Sequence, residues 1–153
     1  MDGTEFKEKL HKFYSSLPKK GIYEIFSRCK IIYAIPGHIL FEFIVEEKDL
    51  DEENNFHFGC LATLFDVLMS SSEFPVDPSE KRRHGVTVDL NITYLGTAKM
   101  GEKLIIDCKT IKIGNRLAFF KAKSYKSDNK MEVIARATQT FAVIKNSIPS
   151  SKL

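Results

Sequence analysis

Residues Phe56 to Ser72 read Phe-His-Phe-Gly-Cys-Leu-Ala-Thr-Leu-Phe-Asp-Val-Leu-Met-Ser-Ser-Ser, and the fold turns on how that stretch is understood. It is long and apolar enough for a buried helix, it holds no Pro, and its only Gly falls in the first turn. At about 100° per residue, Leu61, Leu64, Phe65 and Leu68 form one stripe, with Gly59, Thr63, Asp66 and Ser70 on the opposite side. A surface helix would carry Lys and Glu there, and between Phe58 and Ser72 there is neither. A helix apolar nearly all round is a buried one, which puts Asp66 at a cleft or against a second subunit; an Asp at the helix rim, meeting solvent, is the plain alternative. A carboxylate withdrawn from water is costly unless it is paired or used, so Asp66 heads the candidate residues.

On the N-terminal side, Asp2 to Leu17 reads as an amphipathic helix. Asp2 and Glu5 resemble a capping box, Phe6, Leu10, Phe13, Tyr14 and Leu17 recur at helical spacing, and Pro18 ends the run. Such a helix would cover an end or edge of a sheet. A short helical turn is expected around Ile22 to Phe26. From Lys30 the pattern becomes extended, with Pro36-Gly37 as the turn of a hairpin that runs on to Glu46. Glu46 to Asn55 is strongly acidic and reads as a solvated loop leading into the helix. Phe74 to Arg83, with Pro75, Pro78 and Lys81-Arg82-Arg83, reads as a second loop, and loops flanking a buried helix are good places for a site.

Four strands follow. Val86, Val88, Leu90, Ile92 and Tyr94 alternate with Thr87, Asp89, Asn91 and Thr93, the pattern of a half-buried strand. Gly101 to Ile113, Leu117 to Tyr125 and Met131 to Ile144 come next, separated by turn residues. Consecutive strands on short turns predict an antiparallel meander. The fold class is therefore α+β: an antiparallel sheet of about six strands wrapped around one long central helix, preceded by an N-terminal helix. The division read is an N-terminal helical segment over 1–27, the main domain over 28–146 and a flexible tail over 147–153.

Composition sets bounds on function. The 153 residues suit one domain with a real core, 43% of them hydrophobic and 28% charged. A net charge of +3 is too small to indicate a nucleic-acid surface. No apolar run is long enough to span a membrane, and no secretory signal is evident. The three cysteines, Cys29, Cys60 and Cys108, are widely spaced and fit reduced, buried thiols better than a disulfide framework or a zinc site. Cys60, close to His57, invites a nucleophile reading, but a thiol inside an apolar helix has a raised pKa and is more often packing.

The succession of helix, hairpin, acidic loop, His-Phe-Gly opening a buried helix, Asp nine positions after the His, and then Val-Thr-Val-Asp-Leu-Asn-Ile-Thr-Tyr and Gly-Glu resembles the hotdog-fold acyl-coenzyme A thioesterases. The likeness is to the branch holding the small animal enzymes and the bacterial phenylacetate-pathway thioesterases, and it covers roughly Ile31 to Val143. It implies a hotdog fold, sheets joined edge to edge in a homodimer that commonly pairs into a homotetramer, and an active site shared between two chains. The implied substrate is an acyl-CoA, with a medium- to long-chain fatty acyl group, and coenzyme A is then part of the substrate rather than a cofactor. No metal is implied.

Carried over position by position, the family's His-Gly-Gly becomes His57-Phe58-Gly59. The Phe58 N–H would face the thioester carbonyl, where a helix start suits a developing oxyanion, and a benzyl group stands where the family has no side chain. Asp66 matches the catalytic carboxylate, acting from the partner chain as general base or nucleophile. Thr87 matches a Ser or Thr that holds the water, with a simple strand hydroxyl as the alternative. His57 would support the carbonyl-binding loop or meet the substrate, unless it is a satisfied structural His. The family's Asn six positions before the His is Asp51 here, a charge that opposes an oxyanion, so either Asn54 or Asn55 takes that role after a loop rearrangement or the chain turns over differently. Coenzyme contacts are implied at Tyr94, Lys99, Lys112, Gly114 and Arg116, with Lys81-Arg82-Arg83 added on charge alone. The final Ser-Lys-Leu reads as a peroxisomal address, with the cytosol second. Competing functions are a hotdog hydratase or dehydratase and a non-catalytic acyl-CoA or lipid-binding module.

Overall fold

The computed structural model describes residues 3–73 and 85–144. Helix α1 (Gly3–Ser16), a 3-10 turn (Gly21–Tyr23) and α2 (Glu24–Ser27) precede strands β1 (Lys30–Ile35) and β2 (His38–Ile44). After a second 3-10 turn (Glu47–Asp49) comes the central helix α3 (Phe58–Ser70), followed by β3 (Gly85–Tyr94), β4 (Lys103–Ile113), β5 (Leu117–Lys126) and β6 (Val133–Val143). The proposed Asp2 cap, the Lys81-Arg82-Arg83 run and the Ser-Lys-Leu tail lie outside the described residues.

The six strands form one antiparallel sheet in the order β1-β2-β4-β5-β6-β3. The hairpin between β1 and β2 turns at Gly37, whose φ of 81° is the left-handed conformation that favours glycine. The expected four-strand meander holds only for β4 to β6. Strand β3 pairs with β6 at the sheet edge, because the segment from Leu95 to Glu102 is not a tight turn. It crosses the end of the sheet, pinned by buried Ala98, whose carbonyl accepts from Phe56 N–H at 2.7 Å, and by the Gly101 N–H bonded to Val45 O at 2.8 Å.

Leu61, Leu64, Phe65 and Leu68 of α3 are fully buried, as their spacing requires, against Phe41, Phe43, Ile106, Cys108, Ala118 and Phe120 on the inner face of the sheet. Phe6, Leu10 and Tyr14 of α1, with Ile25 and Phe26 of α2, join this same core, so the N-terminal segment is continuous with the sheet domain in packing. Helix α1 lies against β1, the edge opposite β3.

The acidic loop is not simply solvated. Asp49 is 3% exposed and receives both Nη atoms of Arg28, in addition to the Glu46 N–H at 2.9 Å. Burying that carboxylate requires this fork of charge-assisted bonds. Among the described residues no helix is long and apolar enough to cross a membrane, and no cluster of His, Cys, Asp and Glu could hold a metal ion.

Candidate active site

His57 is the N-cap of α3: its Nδ1 accepts the Gly59 N–H at 2.9 Å, which leaves the ring proton on Nε2 when the imidazole is neutral. Gly59 is what allows this closure, since a Cβ there would sit 2.9 Å from the His57 ring. His57 is itself held by its N–H to Asp49 O at 2.8 Å, so the Arg28–Asp49 pair fixes the helix entry. With Gly59 capped and the Cys60 and Leu61 N–H groups turned to His57 O, the Phe58 N–H has no acceptor among the described residues. A free donor at the positive end of a 13-residue helix suits an oxyanion.

Phe58 carries its ring out from the helix start, 46% exposed, and stacks it on Tyr94 at 4.3 Å between centroids. Tyr94 donates its hydroxyl to Phe58 O at 3.0 Å, and burial pushes its phenol pKa up from the ordinary value. Beside this helix start lies a hollow of about 380 Å³ bounded by Ile22, Ile25, Arg28, His57, Cys60 and Thr63.

At the other end of α3, half-buried Asp66 is gripped through one oxygen. Thr87 donates to its Oδ1 at 2.6 Å, and Gln139 Nε2 donates to Oδ1 at 2.9 Å, to Asp66 O at 2.8 Å and to Thr87 Oγ1 at 2.8 Å. Oδ2 has no partner among the described residues. The strict alternation of β3 predicted Thr87 on the face opposite Leu90, Ile92 and Tyr94. A β-bulge between Thr87 and Asp89 reverses the phase, so Thr87 turns in while Val86 and Val88, 52% and 57% exposed, turn out. Bulges re-aim side chains in this way.

Gln139 escaped the sequence reading. Its signal was a polar residue at an inward position of β6, in phase with Ala135, Ala137 and Phe141, and it is 2% exposed. The Arg28–Asp49 pair was missed too, because their separation of 21 residues has no local pattern.

Other candidates fall into separate places. Asp51 organises its own loop, its Oδ1 accepting from Glu53 and Asn55 N–H at 2.9 Å each. Asn54 sits exposed at φ 60°, Asn55 Oδ1 accepts from Lys99 Nζ at 2.7 Å, and none of the three bonds the Phe58 N–H. Lys112, Gly114 and Arg116 belong to the β4–β5 hairpin at the opposite end of the sheet from Lys99 and Tyr94. Burial pushes the Cys60 thiol up from its ordinary range and, among the described residues, no base bonds its sulfur; the Cys29 thiol is pushed up to about 12, also by burial.

Phe58 and Asp66 are eight residues apart on one helix, about 12 Å along its axis. The free donor and the gripped acid thus sit at opposite ends of α3.

A family model described as the thioesterase superfamily matches residues 53–133. The chain is 32% identical over 117 residues to human acyl-coenzyme A thioesterase 13, covering 76% of this chain and 81% of that protein. Its fold is similar to zebrafish thioesterase superfamily member 2, with a TM-score of 0.78 at 28% identity, covering 94% of this chain and 99% of that one. A Streptococcus pneumoniae thioesterase structure containing coenzyme A shares the fold at a TM-score of 0.70 and 22% identity, covering 80% of this chain and 91% of that one. With the six-stranded sheet around α3 and the sites at its two ends, these similarities establish that the chain belongs to the hotdog-fold thioesterase superfamily.

Proposed function

We propose that the chain hydrolyses the thioester of an acyl-coenzyme A, carrying a medium- to long-chain fatty acyl group, to free acid and coenzyme A, and that it does so as a dimer. The observation that supports this most directly is Asp66, with Oδ1 fixed by Thr87 and Gln139 and Oδ2 without a partner among the described residues. A carboxylate oriented through one oxygen is poised to take a proton with the other. Water attacks the carbonyl carbon as Asp66 accepts its proton, the oxyanion is held by the Phe58 N–H, and collapse breaks the C–S bond with the proton passing to the departing sulfur.

Two chains are needed for these parts to meet. Thr87 and Tyr94 mark the acid and donor ends of β3, seven residues or roughly 23 Å apart. Antiparallel pairing of two β3 edges brings Tyr94 and Phe58 of one chain toward Thr87 and Asp66 of the other. The exposed Val86 and Val88, and the outer edge of β3, which pairs with no strand among the described residues, support that pairing. The same pairing draws the Lys99 and Arg116 ends together from different chains, a cationic setting for the coenzyme phosphates. The outer face of α3, which carries no Lys or Glu and has Ala62, Thr63, Val67 and Ser70 half-buried around Asp66, supports a further pairing of dimers.

Co-expression of Asp66→Ala with Phe58→Pro chains tests the shared site. Proline is tolerated at the first helical position but removes the N–H. Each variant alone is expected to release little coenzyme A. Random pairing restores one complete site in half of the dimers, about a quarter of wild-type turnover. No recovery would sink the shared-site reading, while binding of acyl-CoA without any turnover by wild type would favour a non-catalytic module.

A further inference from the structure

Resting on the thioesterase reading, we infer that the Phe58 ring, braced by Tyr94, is the wall against which the acyl carbons next to the thioester lie, and that it excludes acyl groups branched at the carbon beside the carbonyl. The ring belongs to the residue whose N–H is free. A carbonyl oxygen bonded to that N–H at about 2.9 Å holds its carbon roughly 4 Å from the Phe58 nitrogen, inside the reach of the residue's own side chain. The ring does not swing freely. Tyr94 stacks on it at 4.3 Å and 32°, and its hydroxyl is bonded to Phe58 O at 3.0 Å, so two ends of one tyrosine hold the backbone and the ring together.

The ring remains 46% exposed, an apolar surface at the mouth of the site that offers no donor or acceptor. The pantetheine arm of coenzyme A carries amides that must keep hydrogen bonds, and a benzyl face supplies none. Acyl methylenes need only contact, so they are the part of the substrate that this surface suits. A straight chain can lie flat on it. A methyl branch beside the carbonyl would need the volume the ring already fills, and a ring backed by Tyr94 cannot retreat.

The test compares octanoyl-CoA with 2-methyloctanoyl-CoA, following coenzyme A release by wild type, Phe58→Gly, Phe58→Leu and Tyr94→Leu. Wild type is expected to favour the straight chain by at least tenfold in kcat/KM. Phe58→Gly is expected to narrow that ratio at least fivefold by raising turnover of the branched substrate, and Tyr94→Leu to narrow it in part by freeing the ring. Phe58→Leu, which keeps an apolar residue at the helix start, gives the same comparison should the glycine variant fold poorly. A wild-type ratio near one, or a ratio unmoved in the Phe58 variants while the straight chain still turns over, overturns the wall. Absence of hydrolysis of either substrate by wild type overturns the thioesterase reading itself.

Discussion

Thr87 reaches Asp66 across the gap between strand and helix, its hydroxyl 2.6 Å from Oδ1, only because β3 bulges at this point. Thr87→Val keeps the shape and removes the donor. Its kcat is expected to fall ten- to a hundredfold with little change in KM, a loss in keeping with a charge-assisted hydrogen bond. Asp66→Asn should lose more, on the order of two to four decades, as the proposed general base disappears. Steady-state coenzyme A release checks both, and a Thr87→Val enzyme at full activity would contradict the assignment.

In the proposed reaction Gln139 acts through Asp66. Its amide nitrogen bonds the Asp66 backbone, its carboxylate and Thr87 at once, making it a positioning residue. Gln139→Leu is expected to lower kcat about tenfold while KM moves little. Equal loss of kcat in Gln139→Leu and in the Thr87→Val, Gln139→Leu double variant would show the two hydroxyl and amide groups working as a unit. Fully multiplicative losses would show instead that they act separately.

The Arg28 side chain is 13% exposed and that of Asp49 4%, so removing one leaves the other buried without its partner. Arg28→Met is expected to cost about 3 kcal/mol in urea unfolding. The Asp49 carbonyl also holds His57, so KM should rise as well. A variant of wild-type stability would mean that water reaches Asp49 unaided.

Burial pushes the pKa of the Cys29 thiol up to about 12 and raises those of Cys60 and Cys108, and a raised thiol is a poor nucleophile. Native protein at pH 8 should therefore react slowly with a thiol reagent at all three positions, and Cys60→Ala should retain turnover. The sign of the pH dependence follows from the same shift. A folded pKa above the unfolded one gives stability that is complete below the ordinary thiol value and is lost as pH rises through it toward 12. Urea midpoints measured between pH 8 and pH 11 should fall less steeply in Cys29→Ala than in wild type.

The central helix was legible because its signal is local: Leu61, Leu64, Phe65 and Leu68 share one face by spacing alone, and the absence of Lys and Glu opposite them marked Asp66. Strand existence was equally local. Strand order was not, since β3 pairs with β6 through a crossing whose anchors, Ala98 and Gly101, look like ordinary turn residues. The phase of β3 misled for a related reason. A bulge adds a residue without changing composition, so Val86 and Val88 continue the apolar alternation in sequence and break it in space. Asp49 was hidden among acidic neighbours until Arg28, far back in the chain, accounted for it.

The two margins of the sheet differ: β1 packs against α1, whereas among the described residues β3 has no neighbour on its outer side and presents Val86 and Val88. In the proposed pairing of two β3 margins, both outer rims of the joined pair are β1 margins with α1 packed beside them. In the proposed dimer, loss of the N-terminal helix is expected to open β1 to further strand-to-strand pairing, seen as growth beyond the pair in sedimentation.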